Sequence, residues 1–99
     1  MAESRKSYLF ERAARADLRH GVFWYEEKQE GLGRRFANDV QRAIDLILRA
    51  TDRWPIRLGT HRYVLRRFPY TIAYRVTAND VVIMAVAHHR LDPGSWEGR

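Results

Sequence analysis

The sequence contains no cysteine, which excludes disulfide bonds and thiolate metal sites. It also lacks a long hydrophobic run, because the longest one, residues 81–87, spans only seven residues and is too short to cross a bilayer. The first six residues lead into no apolar stretch, so we expect neither a signal peptide nor a membrane span. The cytoplasm is therefore the expected compartment.

Acidic residues are missing from a long central stretch. None occurs between Arg53 and Asn79, while six arginines fall there: Arg53, Arg57, Arg62, Arg66, Arg67 and Arg75. The net charge is +6 and the pI is about 10.3. Arginine suits bidentate contacts with phosphate or carboxylate, so the composition favours a polyanionic partner, either nucleic acid or an acidic protein segment. The alternative is a solvated basic surface without a specific partner.

The length and composition predict one domain. Ninety-nine residues can build one hydrophobic core but not two, so residues 1–99 form a single unit. The content of 45% hydrophobic and 30% charged residues fits a folded globular chain.

The amino-terminal half predicts a short strand followed by two helices. Residues 7–10 read as the strand, and apolar residues then recur at helical spacing in a helix over residues 12–29. The turn Gly31-Leu32-Gly33 ends this helix and produces a hairpin. The second helix ends near Thr51, before Trp54-Pro55. Its apolar face consists of Phe36, Val40, Ala43, Ile44, Ile47 and Leu48.

The carboxy-terminal half predicts three strands, over residues 61–67, 70–76 and 81–87. The last strand is apolar on both faces, so we expect it near the centre of the sheet and covered on both sides. The element order β-α-α-β-β-β describes an α+β domain with the helix hairpin packed on one face of a small antiparallel sheet.

Several short segments, in this order, resemble the RelE/ParE superfamily of toxins. The segments are Asp17-Leu18, Trp24-Tyr25, Gly31-Leu32-Gly33 with Phe36, Arg67-Phe68-Pro69-Tyr70 with Ile72 and Tyr74, and Ala85-Val86-Ala87-His88 with Arg90, Pro93 and Trp96. The resemblance extends from about Tyr8 to the carboxy terminus, and the fold of the superfamily has the element order read above.

The resemblance implies the toxin component of a type II toxin–antitoxin, or plasmid stabilisation, module. Such a toxin inhibits growth and is neutralised by a cognate antitoxin, with which it forms a hetero-oligomer. The Trp-Tyr, Gly-Leu-Gly and Asp-Pro-Gly-Ser-Trp elements are similar to the ParE-like branch, whose members poison DNA gyrase. RelE-like members instead cleave mRNA on the ribosome. A third hypothesis is a domain that keeps the toxin fold but has lost the toxic activity and acts only as a binding module.

Metal-independent RNA cleavage needs a general base, a general acid and a cation at the phosphate, and the sequence can be searched for these groups. Arg67 or Arg75 could hold the phosphate, and His88 or His89 could act as acid or base. No Asp, Glu or Lys from Arg53 to Asn79 supplies a second proton-transfer group, and only His61 substitutes there. Because a gyrase poison needs only a surface, this deficiency favours the ParE-like function.

The candidate target- or antitoxin-binding residues are Arg62, Arg66, Arg67, Arg75, His88, His89, Arg90 and Trp96. We expect the cations and the two imidazoles to lie grouped on one accessible surface. His88 could equally be a structural histidine at a strand end, with its hydrogen bonds made inside the fold, and Trp96 could pack the carboxy-terminal tail onto the fold. Neighbouring strand residues point to opposite faces, so His88 and His89 cannot share a metal, and no metal or other cofactor is expected.

Overall fold

The computed structural model describes residues 7–51, 54, 56–57 and 59–90, with the side chain of Arg57 outside that description. The elements are β1 (Ser7–Phe10), α1 (Arg12–Lys28), α2 (Leu32–Arg49), β2 (Ile56–Arg57), β3 (Thr60–Val64), β4 (Tyr70–Val76) and β5 (Asp80–His88). The two helices form a hairpin whose apolar faces share one core with β4 and β5. The predicted α+β class is confirmed.

The five strands form one mixed sheet in the order β1-β5-β4-β3-β2. Strands β3 to β5 pair antiparallel, as expected, and β2 also pairs antiparallel with β3, but β1 pairs parallel with β5. Only a tight turn forces two strands to run antiparallel, and β1 is separated from β5 by both helices and three strands. The first strand is therefore free to take the parallel direction.

Strand β5 is an interior strand of the sheet, flanked by β1 and β4. All of residues 81–87 are buried, which confirms the prediction of a covered central strand. Val81, Ile83 and Val86 join the core beneath the helices. The side of the sheet that faces away from the helices, which we call the second face, carries a cluster of buried small and apolar side chains: Ala73, Val82, Met84, Ala85 and Ala87.

The helix faces agree with the predicted periodicity. On α2, every residue of the predicted apolar face is buried except Leu48, which is partly buried. On α1, Ala14 and Tyr25 are buried and Leu18 and Val22 pack against the core from its margin. Trp24, next to the buried Tyr25, is 40% exposed. The helices end one or two residues earlier than predicted.

The strand predicted over residues 61–67 is wrong at its end. Strand β3 stops at Val64, and the chain turns through residues 66–69, closed by a hydrogen bond from the Leu65 amide to the Tyr70 carbonyl at 2.9 Å. Pro69 cannot donate to a ladder, so the turn begins before it. The short strand β2 was not predicted. It pairs with β3 across Gly59, whose positive φ of 78° suits glycine.

Among the described residues, no helix combines the length and the apolar character needed to cross a membrane.

Candidate binding surfaces

Two adjoining clefts of about 610 and 490 Å³ run between α2 and the β3–β4 turn, and we call them together the arginine groove. They share Asp39, Arg42 and Arg67 as a common wall. The described lining consists of Leu32, Arg35, Asn38, Asp39, Arg42, Ala43, Leu46, Trp54, Tyr63, Val64, Leu65, Arg66, Arg67 and Phe68. Residues 32 to 46 of α2 rise about 21 Å at 1.5 Å per residue, so the groove is long enough for an extended or helical peptide.

The groove combines an apolar floor with a cationic rim. Arg35 and Arg42 from α2 and Arg66 and Arg67 from the turn are all exposed and line it. Asp39 is the one carboxylate among the described lining residues, and its Oδ1 lies 3.9 Å from Nη1 of Arg42. This combination suits an amphipathic, acidic ligand.

A second, smaller cavity of about 180 Å³ lies between α1 and the ends of β4 and β5, and we call it the imidazole cavity. Its described lining is Asp17, His20, Gly21, Trp24, Tyr70, Val86 and His88. The cavity exists because β1 is shorter than β5: the register of β1 ends at Phe10 opposite Ile83. Beyond that point α1 takes the place of a strand, and Asp17 Oδ2 accepts the Val86 amide at 3.0 Å.

His88 is held in one orientation inside this cavity. Its Nδ1 accepts a hydrogen bond from the Arg90 amide at 3.0 Å, and its ring lies edge-on to Tyr70 at 5.0 Å between centroids. With Nδ1 accepting, the neutral ring carries its proton on Nε2. His88 is therefore oriented to donate a hydrogen bond from Nε2.

The second face carries a third set of the predicted residues. His89 Nε2 lies 2.8 Å from Thr71 Oγ1 at one end of β4. At the other end Arg75 reaches Glu11 Oε2 at 3.4 Å and donates from Nε to Met84 Sδ at 3.2 Å. Arg62 lies between them, opposite Ala73 in the ladder.

The predicted site residues are therefore not grouped on one surface. Arg66 and Arg67 line the arginine groove, and His88 lines the imidazole cavity. Arg62, Arg75 and His89 lie on the second face. The expectation that His88 and His89 face opposite sides agrees with their contacts to Tyr70 and Thr71. Arg90 is exposed, and Trp96 lies outside the described residues.

Sequence reasoning missed the contributions of the helices. Asp17 and His20 lie beside His88, and Arg35 and Arg42 lie beside Arg67, although both pairs are far from these partners in the chain. For the arginines a signal existed, because residues 35, 39, 42 and 46 fall on one helical stripe. Asp17 lies in a segment that carries the family resemblance, but periodicity assigns it no contact, since the early end of β1 is a tertiary feature.

The hairpin behind these surfaces is fixed by Glu26. Its carboxylate accepts hydrogen bonds from the Gly31 and Gly33 amides, both at 2.9 Å. These two bonds, the Gly31 one first, hold the pKa of Glu26 below its ordinary value, with a small contribution from Arg34. Tyr25, packed against Phe36 and Phe68, has its pKa raised by burial.

Within the described part of the chain, no group of three His, Cys, Asp or Glu side chains is arranged to hold a metal ion.

Comparison with known proteins identifies relatives of this fold. The family model for the ParE toxin of the type II toxin–antitoxin system parDE matches residues 8–93. A search of curated protein sequences found no match. Among solved structures, the chromosomal ParDE system from P. aeruginosa superimposes with a TM-score of 0.74 at 18% identity, covering 85% of this chain and 96% of that one.

A second similar structure is the RelBE2 toxin–antitoxin complex from Mycobacterium tuberculosis. It superimposes with a TM-score of 0.60 at 27% identity, covering 86% of this chain and 99% of that one. Both structures share the arrangement of a helix hairpin on a small sheet. The family match covers most of the chain, and this protein therefore belongs to the ParE toxin family of type II toxin–antitoxin systems.

Proposed function

We propose that this toxin is ParE-like in its target, binding DNA gyrase and inhibiting it. The observation that carries the proposal is the separation of the charged groups. Among the described residues, no arginine lines the imidazole cavity and no histidine lines the arginine groove. RNA cleavage requires a cation at the phosphate beside the groups that move protons. A protein-binding poison has no such requirement.

We further propose that a cognate antitoxin neutralises the toxin in the cytoplasm and forms a hetero-oligomer with it. The similar structures come from toxin–antitoxin systems, which supports a partner of this class. The arginine groove has the chemistry to receive an acidic, amphipathic segment, with apolar side chains on Phe68 and Leu46 and carboxylates against Arg35, Arg42, Arg66 and Arg67.

A supercoiling assay tests the gyrase proposal. Purified gyrase is incubated with relaxed plasmid and the isolated toxin, and in a parallel reaction with toxin premixed with its antitoxin. We expect the isolated toxin to block supercoiling at micromolar excess and the premixed toxin to have no effect. If the toxin arrests growth when it is induced in cells but the purified toxin leaves supercoiling undiminished, gyrase is refuted as the target.

RNA cleavage on the ribosome is the second candidate, and one observation favours it. Asp17, His20 and His88 line the same cavity and supply the proton-transfer groups that the sequence around the central strands lacks. Mapping mRNA ends after induction tests this function, with His88→Ala and Arg67→Ala as variants. Cleavage that either variant abolishes would support it. Intact transcripts during growth arrest would eliminate it, and no growth arrest at all would leave only the binding-module hypothesis.

A further inference from the structure

The imidazole cavity has a lining that binding to gyrase or to an antitoxin leaves unexplained. Flat rings from three elements form most of it: His20, Trp24, Tyr70 and His88. Its volume of about 180 Å³ lies below the roughly 300–1,000 Å³ of pockets for drug-sized ligands. A cavity of this size, walled by rings, suits a single planar ring system.

The ring walls are fixed by the core behind them. Tyr70 is buried, with its ring centroid 4.6 Å from that of Phe36, and the His88 ring stands nearly perpendicular to it at 5.0 Å. Trp24 is likewise perpendicular to the buried Tyr25, with 5.0 Å between the centroids. Because Tyr25 and Tyr70 belong to the core, the cavity is preformed, and a ligand does not have to order its walls on binding.

Cations flank the mouth of the cavity. Lys28 Nζ lies 4.6 Å from the centre of the Trp24 ring. Arg90 is exposed, and its amide donates to His88 Nδ1. The exposed carboxylate of Glu27, about one turn along α1 from Trp24, opposes these charges. On a chain with a net charge of +6, the two cations favour an anionic group at the mouth.

Ring walls beside cations are the combination that recognises a single-stranded nucleic acid. Its unpaired bases stack on aromatic and imidazole rings, and its phosphates bind lysine and arginine. A duplex does not fit this arrangement, since its bases are stacked on one another and must be turned out of the helix before they can enter a pocket. The chemistry of the cavity therefore favours a strand with unpaired bases.

We propose that the imidazole cavity binds one unpaired base of a single-stranded nucleic acid, with the base against Trp24 and His88 and its phosphate at Lys28. The inference goes beyond the function proposed above and does not depend on it, because holding a base requires neither gyrase nor the transfer of a proton. DNA and RNA strands carry the same kinds of ring and phosphate, and the experiment distinguishes them by their sugar.

Fluorescence anisotropy of the complete toxin tests the contact with the base. The probes are fluorescein-labelled oligo(dA) and oligo(rA), each with an abasic oligomer of the same length and sugar, which keeps the phosphates but lacks the rings. We expect at least one adenine strand to bind roughly 10-fold more tightly than its abasic counterpart. Equal affinities within both pairs would show that only phosphate is bound and would overturn the inference.

Substitutions of Trp24 locate the contact. Trp24→Leu should weaken binding of the adenine strand roughly 10-fold and leave the abasic oligomer unaffected, while Trp24→Phe keeps a ring and should retain most of the affinity. The matched control is Phe23→Leu, because Phe23 is the more exposed neighbour, at 65%, and does not line the cavity. An equal loss in Trp24→Leu and Phe23→Leu would place the base outside the cavity. If Trp24→Leu does not fold, the abasic comparison on the wild-type toxin still decides.

The phosphate contact is tested separately. Lys28→Gln should weaken the adenine strand and its abasic counterpart alike and reduce the salt dependence of binding by about one phosphate contact. Its control is Arg49→Gln, which removes the same charge from an exposed residue at the opposite end of the hairpin. Equal effects of the two variants would show that only the total charge matters, and the phosphate would not lie at Lys28.

The sugar identifies the source of the strand. Tighter binding of oligo(dA) would assign the cavity to DNA, and tighter binding of oligo(rA) would assign it to RNA; either result supports the inference. The supercoiling assay decides the gyrase proposal independently, so each proposal can fail while the other stands.

Discussion

At the scale of single residues, Glu26 makes a contribution to stability that depends on pH. Its pKa is lowered in the folded chain, so the stability it supplies is present above its ordinary value of 4.5 and is lost as the pH falls through the folded pKa. We predict that Glu26→Gln lowers the melting temperature at neutral pH and that the difference from wild type closes in acid. Thermal unfolding at several pH values measures this, with the exposed neighbour Glu30→Gln as control. A gap that persists in strong acid would contradict the assignment.

Gly33 is required by the close approach of the two helices. A Cβ there would lie 2.5 Å from the Val22 carbonyl oxygen, a backbone atom that cannot rotate away. We predict that Gly33→Ala destabilises the fold by about 1–3 kcal/mol, because the helices must separate. Urea unfolding measures the change, and Asn38→Ala, at an exposed position on the same helix, should stay within about 0.5 kcal/mol of wild type. Equal stability of the two variants would show that the hairpin tolerates the extra atom.

At the scale of elements, Asp17 connects α1 to the central strand where β1 has ended. We predict that Asp17→Ala costs about 1–3 kcal/mol, since the partly buried Val86 amide loses its acceptor. Asp17→Asn keeps an oxygen in that place and should cost less. Denaturant unfolding of both variants measures the order. If Asn is as damaging as Ala, the negative charge rather than the acceptor is what α1 contributes.

Elements are also the scale at which the sequence was most informative. The helical stripe of α2 and the alternation of β4 follow from side-chain periodicity, and both were predicted; the limits of β4 are those predicted, while α2 ends two residues before Thr51. The turn after Val64 is local and follows from Pro69, which the alternation over residues 61–67 does not take into account. The parallel direction of β1 depends on how distant segments meet, and periodicity does not record that. The site was harder to predict for the same reason: Arg66 and Arg67 were identified, but Arg35 and Arg42, which complete the groove, come from another element.

At the scale of the whole molecule, the positive charge should govern how the antitoxin is captured. We predict that Arg66→Glu combined with Arg67→Glu slows association roughly 10-fold at low salt, with a smaller effect at high salt, because rim charges act mainly on the encounter rate. Stopped-flow or surface-based kinetics measures this. The control is Arg34→Glu combined with Arg49→Glu, which makes the same change in net charge at exposed residues that do not line the groove. An equal slowing in the control would show that only the total charge matters.

The order of strands in the sheet also constrains when the toxin can exist during translation. Strand β5 is the interior strand that joins β1 to the rest of the sheet, yet it is the last described element to be synthesised, so β1, made first, has no neighbour among the described strands until β5 arrives. A nascent chain halted before residue 80 contains the hairpin and β4 but lacks β5, so the core that these elements share is incomplete and β1 stays unpaired. The synthesis of β5, rather than that of the helices, therefore sets the moment at which the antitoxin must already be present.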